Sequence, residues 1–183
     1  MRKSRQSTIE ELSADGKLEQ LKALFESGYT QEEIDEALSN TLAYAMIETA
    51  EYLIGLGADL AWEGHHGVYY AAHNNELSAL KFAISQGVNI NVENGMILNT
   101  AIITAINCKD LSMIQWVLSS GADLSFLSDQ SRRLIREYGS DGLKQLFSRE
   151  LKAQWAPRAL LFHIYTKCRS LLYYLKILPT LLT

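Results

Sequence analysis

Four glycines set the period of this chain. Gly28, Gly57, Gly87 and Gly121 stand 29, 30 and 34 residues apart, and the segments they open echo one another. Gly57-Ala58-Asp59-Leu60 and Gly121-Ala122-Asp123-Leu124 are near copies, Gly87 closes the unit between them, and Gly28-Tyr29-Thr30 is a worn version. Self-similarity at a fixed period of some thirty residues is the mark of stacked units, each too small to bury an apolar face alone. A doubly wound sheet or a sandwich has no reason to repeat at that interval.

The unit is complete between residues 64 and 91, GHHGVYYAAHNNELSALKFAISQGVNIN. A turn leads into a short helix through Tyr70-Ala71-Ala72, a polar break follows at His73-Asn74-Asn75-Glu76, and a longer helix runs from Leu77 to Gln86. Ala71-Ala72, the Asn74-Asn75 break, Leu77, Leu80, Ala83, Ile84 and Gly87 together resemble an ankyrin repeat. His66-Gly67-Val68-Tyr69 stands where that family usually writes Thr-Pro-Leu-His. The resemblance implies an all-α solenoid of helix-turn-helix units with short finger hairpins, capped by C-terminal helices. It implies one domain over 1–152, clearest at 28–57, 58–87 and 88–121, with degenerate capping repeats at 7–28 and 125–152.

Local signals fill in that outline. Ser7-Thr8-Ile9-Glu10 fits a capping box for the first helix, and Thr30-Gln31-Glu32-Glu33 fits a second directly after Gly28, leaving no room there for a hairpin finger. Full fingers are expected at 60–66 and 90–96, the latter around Asn94-Gly95, where both residues tolerate positive φ. Asp129 is placed to cap a helix through Tyr138, with Gly139 as its stop.

Charge is segregated along the chain. Residues 10 to 123 carry seventeen Asp and Glu against four lysines, whereas residues 124 to 183 carry ten Lys and Arg against four acids. An acidic repeat stack raises a potential that steers a basic partner and repels nucleic acid. From Lys152 onward there is no acid, and Leu161, Ile164, Cys168, Leu171, Leu175 and Leu178 recur in steps of three and four between Pro157 and Pro179. Residues 153–183 therefore read as a basic amphipathic helix. Three roles compete for it: a cap packed on the solenoid end, a surface for a partner helix or a second copy, and contact of 158–178 with a membrane surface. The cap is the expectation. Charges interrupt every window long enough to span a bilayer. No apolar leader follows Met1-Arg2-Lys3, so a cytoplasmic protein is expected. Cys108 and Cys168 have no metal or redox spacing and are expected to be buried or half-buried thiols.

A glycine-rich phosphate loop, a His-Glu-x-x-His helix and a Gly-x-Ser-x-Gly elbow are all missing from the sequence, so no enzyme and no cofactor is expected. His65, His66 and His73 form the one candidate metal cluster, and without a carboxylate or thiolate at ligand spacing they read as contact residues. The resemblance implies binding through fingers and inner helices. Its variable positions fall on Trp62, Glu63, His65, Tyr70, His73 and Asn74 in the central repeat, on Met96, Ile97, Asn99, Thr104, Asn107 and Cys108 in the next, and on Asn40, Ala43 and Tyr44 in the shortened one, while Glu93 is expected to add negative charge to the finger edge. Trp62 is expected on a finger tip. Asp59 and Asp123 are expected to add negative charge along the same edge. The implied function is a protein-binding module that sequesters or inhibits a basic protein, similar to the immunity proteins paired with cationic toxins. A scaffold using the basic C-terminal helix and a metal-binding protein are the alternatives.

Overall fold

Every helix must satisfy the carbonyls left over at its C-terminus, and the way this chain does so fixes its architecture. The computed structural model describes residues 4–153. Within them it forms α1 (Arg5–Ala14), α2 (Leu18–Phe25), α3 (Gln31–Ala43), α4 (Ile47–Gly55), α5 (Trp62–His73), α6 (Leu77–Ser85), α7 (Val92–Cys108), α8 (Ser112–Ser119) and α9 (Asp129–Tyr138). A short 3-10 turn, Leu124–Phe126, precedes α9. All nine belong to one compact unit, Met1–Ser140. A second unit begins at Asp141, and its described part holds α10 (Asp141–Leu146) and α11 (Ser148–Ala153), with Leu143 and Phe147 buried. The basic helix expected beyond residue 153, Cys168 included, lies outside the described residues.

The period seen in the glycines is a period of helix ends. Gly28, Gly57, Gly87 and Gly121 have φ of 99°, 96°, 100° and 90°. At Gly57 the following amide, Ala58 N–H, donates to Leu53 O at 3.0 Å while Gly57 N–H donates to Ile54 O at 2.9 Å. That pair of bonds is a Schellman cap, and it repeats at Val88 with Ala83 and at Ala122 with Val117. No atom lies within 4 Å of where a Cβ would stand on these glycines, so glycine is there for its backbone angle rather than for space.

The same cap closes the first helix of the first three pairs, with Gly16, Ala45 and Asn75 in the left-handed position, and Lys109 takes the same left-handed angle at the end of α7. Alanine pays for that conformation with a Cβ clash of roughly 1–2 kcal/mol. Ala45→Gly is therefore expected to stabilise the fold by about 0.5–1 kcal/mol after allowing for the extra freedom of glycine when unfolded. A thermal melt followed by circular dichroism should show a rise of roughly 2–3 °C, and a fall would mean that Ala45 packs in a way that its φ does not reveal.

Pairing by these caps produces two rows of helices. α1 packs on α3, α3 on α5, α5 on α7 and α7 on α9, while α4 and α6 meet behind them. Ser39 faces Gly67 and Ala43 accepts from Asn74, so the register rises in the same direction on both helices and α3 and α5 run parallel. The core lies between the rows, where Ile34, Leu38, Leu42, Leu53, Leu80, Ile97, Leu98, Ile102 and Met113 are all at most 2% exposed. Burial on this scale is the main stabilising term, about 1.5–3 kcal/mol for each such side chain.

Three expectations change. The first helix begins at Arg5, with Ser4 rather than Ser7 as its cap: the Ser4 hydroxyl accepts from Ser7 N–H at 3.1 Å. The cap of α9 is Ser128, not Asp129. No strand forms among the described residues, so the fingers are not hairpins. At both expected tips the chain instead makes a left-handed turn of three residues, Glu63-Gly64-His65 and Glu93-Asn94-Gly95, with every φ between 47° and 79°. The capping box at Thr30 is present as read: Glu33 N–H donates to Thr30 Oγ1 at 3.2 Å, and Thr30 N–H donates to a Glu33 carboxylate oxygen at 2.9 Å.

Candidate functional site

Two ridges on parallel helices face each other across a groove of about 280 Å³. Glu32, Glu36 and Asn40 recur every four residues along α3, so they stand above one another on one face. Trp62, Glu63, His66 and Tyr70 form the facing wall, and Gln6 of α1 and Ser39 complete the lining. The helices come close because Gly67 has no side chain: a Cβ there would sit 2.8 Å from Ser39 Cα and 3.0 Å from Leu42 Cδ1. The groove is the space between ridges that this close approach leaves.

The α5 wall is a ladder of rings. Trp62 lies 6.1 Å from His66, and His66 lies edge-on to Tyr70 at 4.6 Å. Tyr70 contacts Tyr69 at 5.3 Å, and Tyr69 stacks on His73 at 5.7 Å with an interplanar angle of 16°. Rings in such edge and stacked contacts hold one another in place. Trp62 is half-buried at the start of the left-handed turn rather than free on a tip, and Tyr70 is 36% exposed.

The α3 wall is negative. Burial first, then the charges of Glu10 and Glu32, push the Glu36 carboxyl above its ordinary range, against hydrogen bonds from Gln6 Nε2 at 3.3 Å to both oxygens. A raised carboxyl destabilises the fold while ionised, and stability is recovered as pH falls through its folded value. Among the described residues no lysine or arginine lines the groove. Arg5 is held elsewhere, 2.6 Å from Glu33 Oε1 and 2.6 Å from Gly28 O, and it pulls the Glu33 carboxyl below its ordinary range.

The residues expected to bind separate into groups. Asn40, Trp62, Glu63 and Tyr70 come together in the groove. Tyr44, His73, Asn74 and Asn107 are exposed at the C-terminal ends of the inner helices, where the Asn74 amide donates to Ala43 O at 2.8 Å and ties α5 to α3. His65 and Glu93 link successive left-handed turns, with Nδ1 of His65 buried, without a hydrogen-bond partner, and 3.9 Å from Glu93 Oε1. Met96 is half-buried just beyond the second turn.

Asn99 leaves the candidate surface. Its amide donates to Gly95 O and Phe126 O, both at 2.9 Å, and its oxygen accepts from Ser128 N–H and the Ser131 hydroxyl. Asp59 and Asp123 are turn residues, each accepting at 2.8 Å from the amide two positions on; that bond holds the Asp123 carboxyl below its ordinary range. Among the described residues no three His, Cys, Asp or Glu side chains gather to hold a metal ion, and His65, His66 and His73 form no such group. Cys108 is exposed, not buried.

Sequence comparison gives one informative likeness. Over 63 residues, 33% of this chain, the sequence is 40% identical to a protein of Acanthamoeba polyphaga mimivirus named for its ankyrin repeats. The matched stretch spans 20% of that protein's length. No family model matches the chain.

Sequence reasoning missed Gln6, Glu32, Glu36 and Ser39 as groove residues, and read His66 only as a general contact residue. The signal was present in the four-residue spacing on both helices. Acids near the start of a helix are already accounted for by the positive helix end, so Glu32 and Glu36 in the sequence do not by themselves point to a groove. No described helix is long and apolar enough to cross a membrane.

Proposed function

We propose that this chain is an ankyrin-type repeat domain that works by binding another protein, and that the groove between α3 and α5 is the centre of its contact surface. The observation that supports this most is the pairing of an acidic wall with an aromatic one in a groove that, among the described residues, no lysine or arginine lines. Aromatic side chains fixed by their neighbours lose little freedom on binding and supply most of the energy of protein contacts. Uncompensated carboxylates select and steer a basic partner. The likeness to a protein named for ankyrin repeats agrees with a binding role. On this reading the protein acts by occupying its partner, without turnover.

Affinity capture from a lysate of the source organism, with wild type beside a Trp62→Ala, Glu63→Ala, Tyr70→Ala variant, tests the reading. The captured protein is then purified and titrated by calorimetry. Wild type should retain a basic protein, and the variant, folded by circular dichroism, should bind it at least tenfold more weakly, since each lost aromatic contact is worth on the order of 1.4 kcal/mol or more. Equal binding by the variant, or no protein retained by wild type above empty resin, overturns it.

A further inference from the structure

We propose that the groove is a receptor for a single arginine side chain presented on an extended segment of the partner. The inference rests on the protein-binding reading and adds the chemistry of what enters.

Three properties of the groove select the occupant. Its size, about 280 Å³, admits one long side chain with a little of its backbone. One wall is aromatic, lined by Trp62, His66 and Tyr70, which are braced against one another at centroid distances of 6.1 and 4.6 Å. The opposite wall offers the carboxylates of Glu32 and Glu36, one helical turn apart, with Glu36 already disfavoured as an anion by its burial and its acidic neighbours. An incoming cation removes that cost, so the site is poised for positive charge.

Both lysine and arginine carry the charge, and the shape of the groove decides between them. A guanidinium is flat, stacks a face on an aromatic ring and directs N–H donors outward in its own plane. Between a ring wall and a carboxylate wall it meets both at once, in charge-assisted hydrogen bonds along its edge. An ammonium is compact and strongly hydrated, has no flat face to lay on a ring and presents no planar fork to a carboxylate.

The test uses a fluorescein-labelled Gly-Ser-Gly-Arg-Gly-Ser-Gly peptide beside versions with lysine or citrulline in place of arginine, read by fluorescence anisotropy with the full chain. The arginine peptide should bind at least fivefold more tightly than the lysine one, and citrulline, the same shape without charge, should bind tenfold or more weakly. Trp62→Ala and Glu36→Gln should each weaken the arginine peptide about five- to tenfold. Trp62→Phe should retain most of the affinity, and Tyr138→Ala, which does not line the groove, should change nothing. Glu36→Gln should not lower the melting temperature, because it removes a disfavoured charge, so a loss of binding there is not a loss of fold. Equal binding of the three peptides, or no response to Trp62→Ala and Glu36→Gln, overturns the proposal. If those results come while the captured partner still depends on Trp62, Glu63 and Tyr70, the arginine assignment fails and the binding module stands. If the arginine peptide binds as expected and no partner is retained, the groove binds a guanidinium but the proposal that a protein partner presents it is overturned.

Discussion

Gly67→Val should lower the melting temperature by roughly 10 °C. The glycine lies where α5 crosses close to α3, and its φ lies outside the left-handed region, so the cause is space and not backbone freedom. A Cβ would meet Ser39 Cα at 2.8 Å, Leu42 Cδ1 at 3.0 Å and Ser39 O at 3.4 Å. Leu42 can turn a little. Ser39 Cα and O are backbone within α3 and move only if the whole helix moves. Parting two helices at the centre of the row disturbs the packing of Leu38, Leu42 and Val68, all at most 2% exposed. Overpacking of this kind costs about 1–3 kcal/mol, and occasionally more, for added methyl groups. Valine, with two methyls beyond the Cβ, belongs at about 3 kcal/mol, and a domain of this size loses roughly 2–4 °C per kcal/mol. Gly67→Ala should show about half of the effect. Thermal and urea melts followed by circular dichroism decide it, and a valine variant melting within about 2 °C of wild type would show that α3 and α5 have slack that their contact distances do not suggest. A milder consequence concerns the groove. Because its width is set by the approach at Gly67, the alanine variant should bind the arginine peptide less well than its stability alone implies.

The periodic parts of the fold were legible because they depend on single residues acting locally. A glycine in a Schellman cap is required by one backbone angle, and the Thr30 capping box closes on its own four residues. The failures came where two local solutions were nearly equal and a distant contact chose between them. Ser4 and Ser7 are both able to cap α1. The start at Arg5 is the one that lets its guanidinium reach Glu33 and Gly28 O, and nothing near Ser7 announces that. Asn94-Gly95 announced positive φ correctly, yet hairpin strands need extended neighbours to pair with, and here each turn runs straight into a helix. That Glu63 and His65 also take left-handed angles, at φ of 47° and 64°, has no sequence signal, since both residues are ordinarily strained there. The groove was half legible. Trp62, Glu63, Tyr70 and Asn40 follow from the resemblance, but the carboxylates opposite them were hidden by a sufficient explanation of another kind.

Asn99→Ala carries the second large effect, and it separates a structural residue from a binding one. This amide uses both its donors and its acceptor inside the fold: it ties the left-handed turn at Gly95 O to Phe126 O, each at 2.9 Å, and receives Ser128 N–H at 2.9 Å and the Ser131 hydroxyl at 2.7 Å. Ser131 is 2% exposed, and Ser128 is the cap of α9. Truncation therefore leaves four groups without that partner at the junction of α7 with α9. Each unsatisfied buried group costs about 1–3 kcal/mol, less where water enters, so a total of about 3 kcal/mol and a fall of roughly 10 °C is expected. Asn99→Asp supplies the finer test, because it keeps the acceptor for Ser128 and Ser131 but sets a negative oxygen against the carbonyls of Gly95 and Phe126. If the donors matter as much as the acceptor, aspartate should recover little of the loss at neutral pH and more as the solution is acidified and the carboxyl becomes a donor again. Full recovery by aspartate already at neutral pH would place the effect in the acceptor bonds to Ser128 and Ser131 alone. The variants should bind the arginine peptide as wild type does at temperatures where they remain folded, since Asn99 does not line the groove; a loss of affinity in folded protein would return Asn99 to the contact surface.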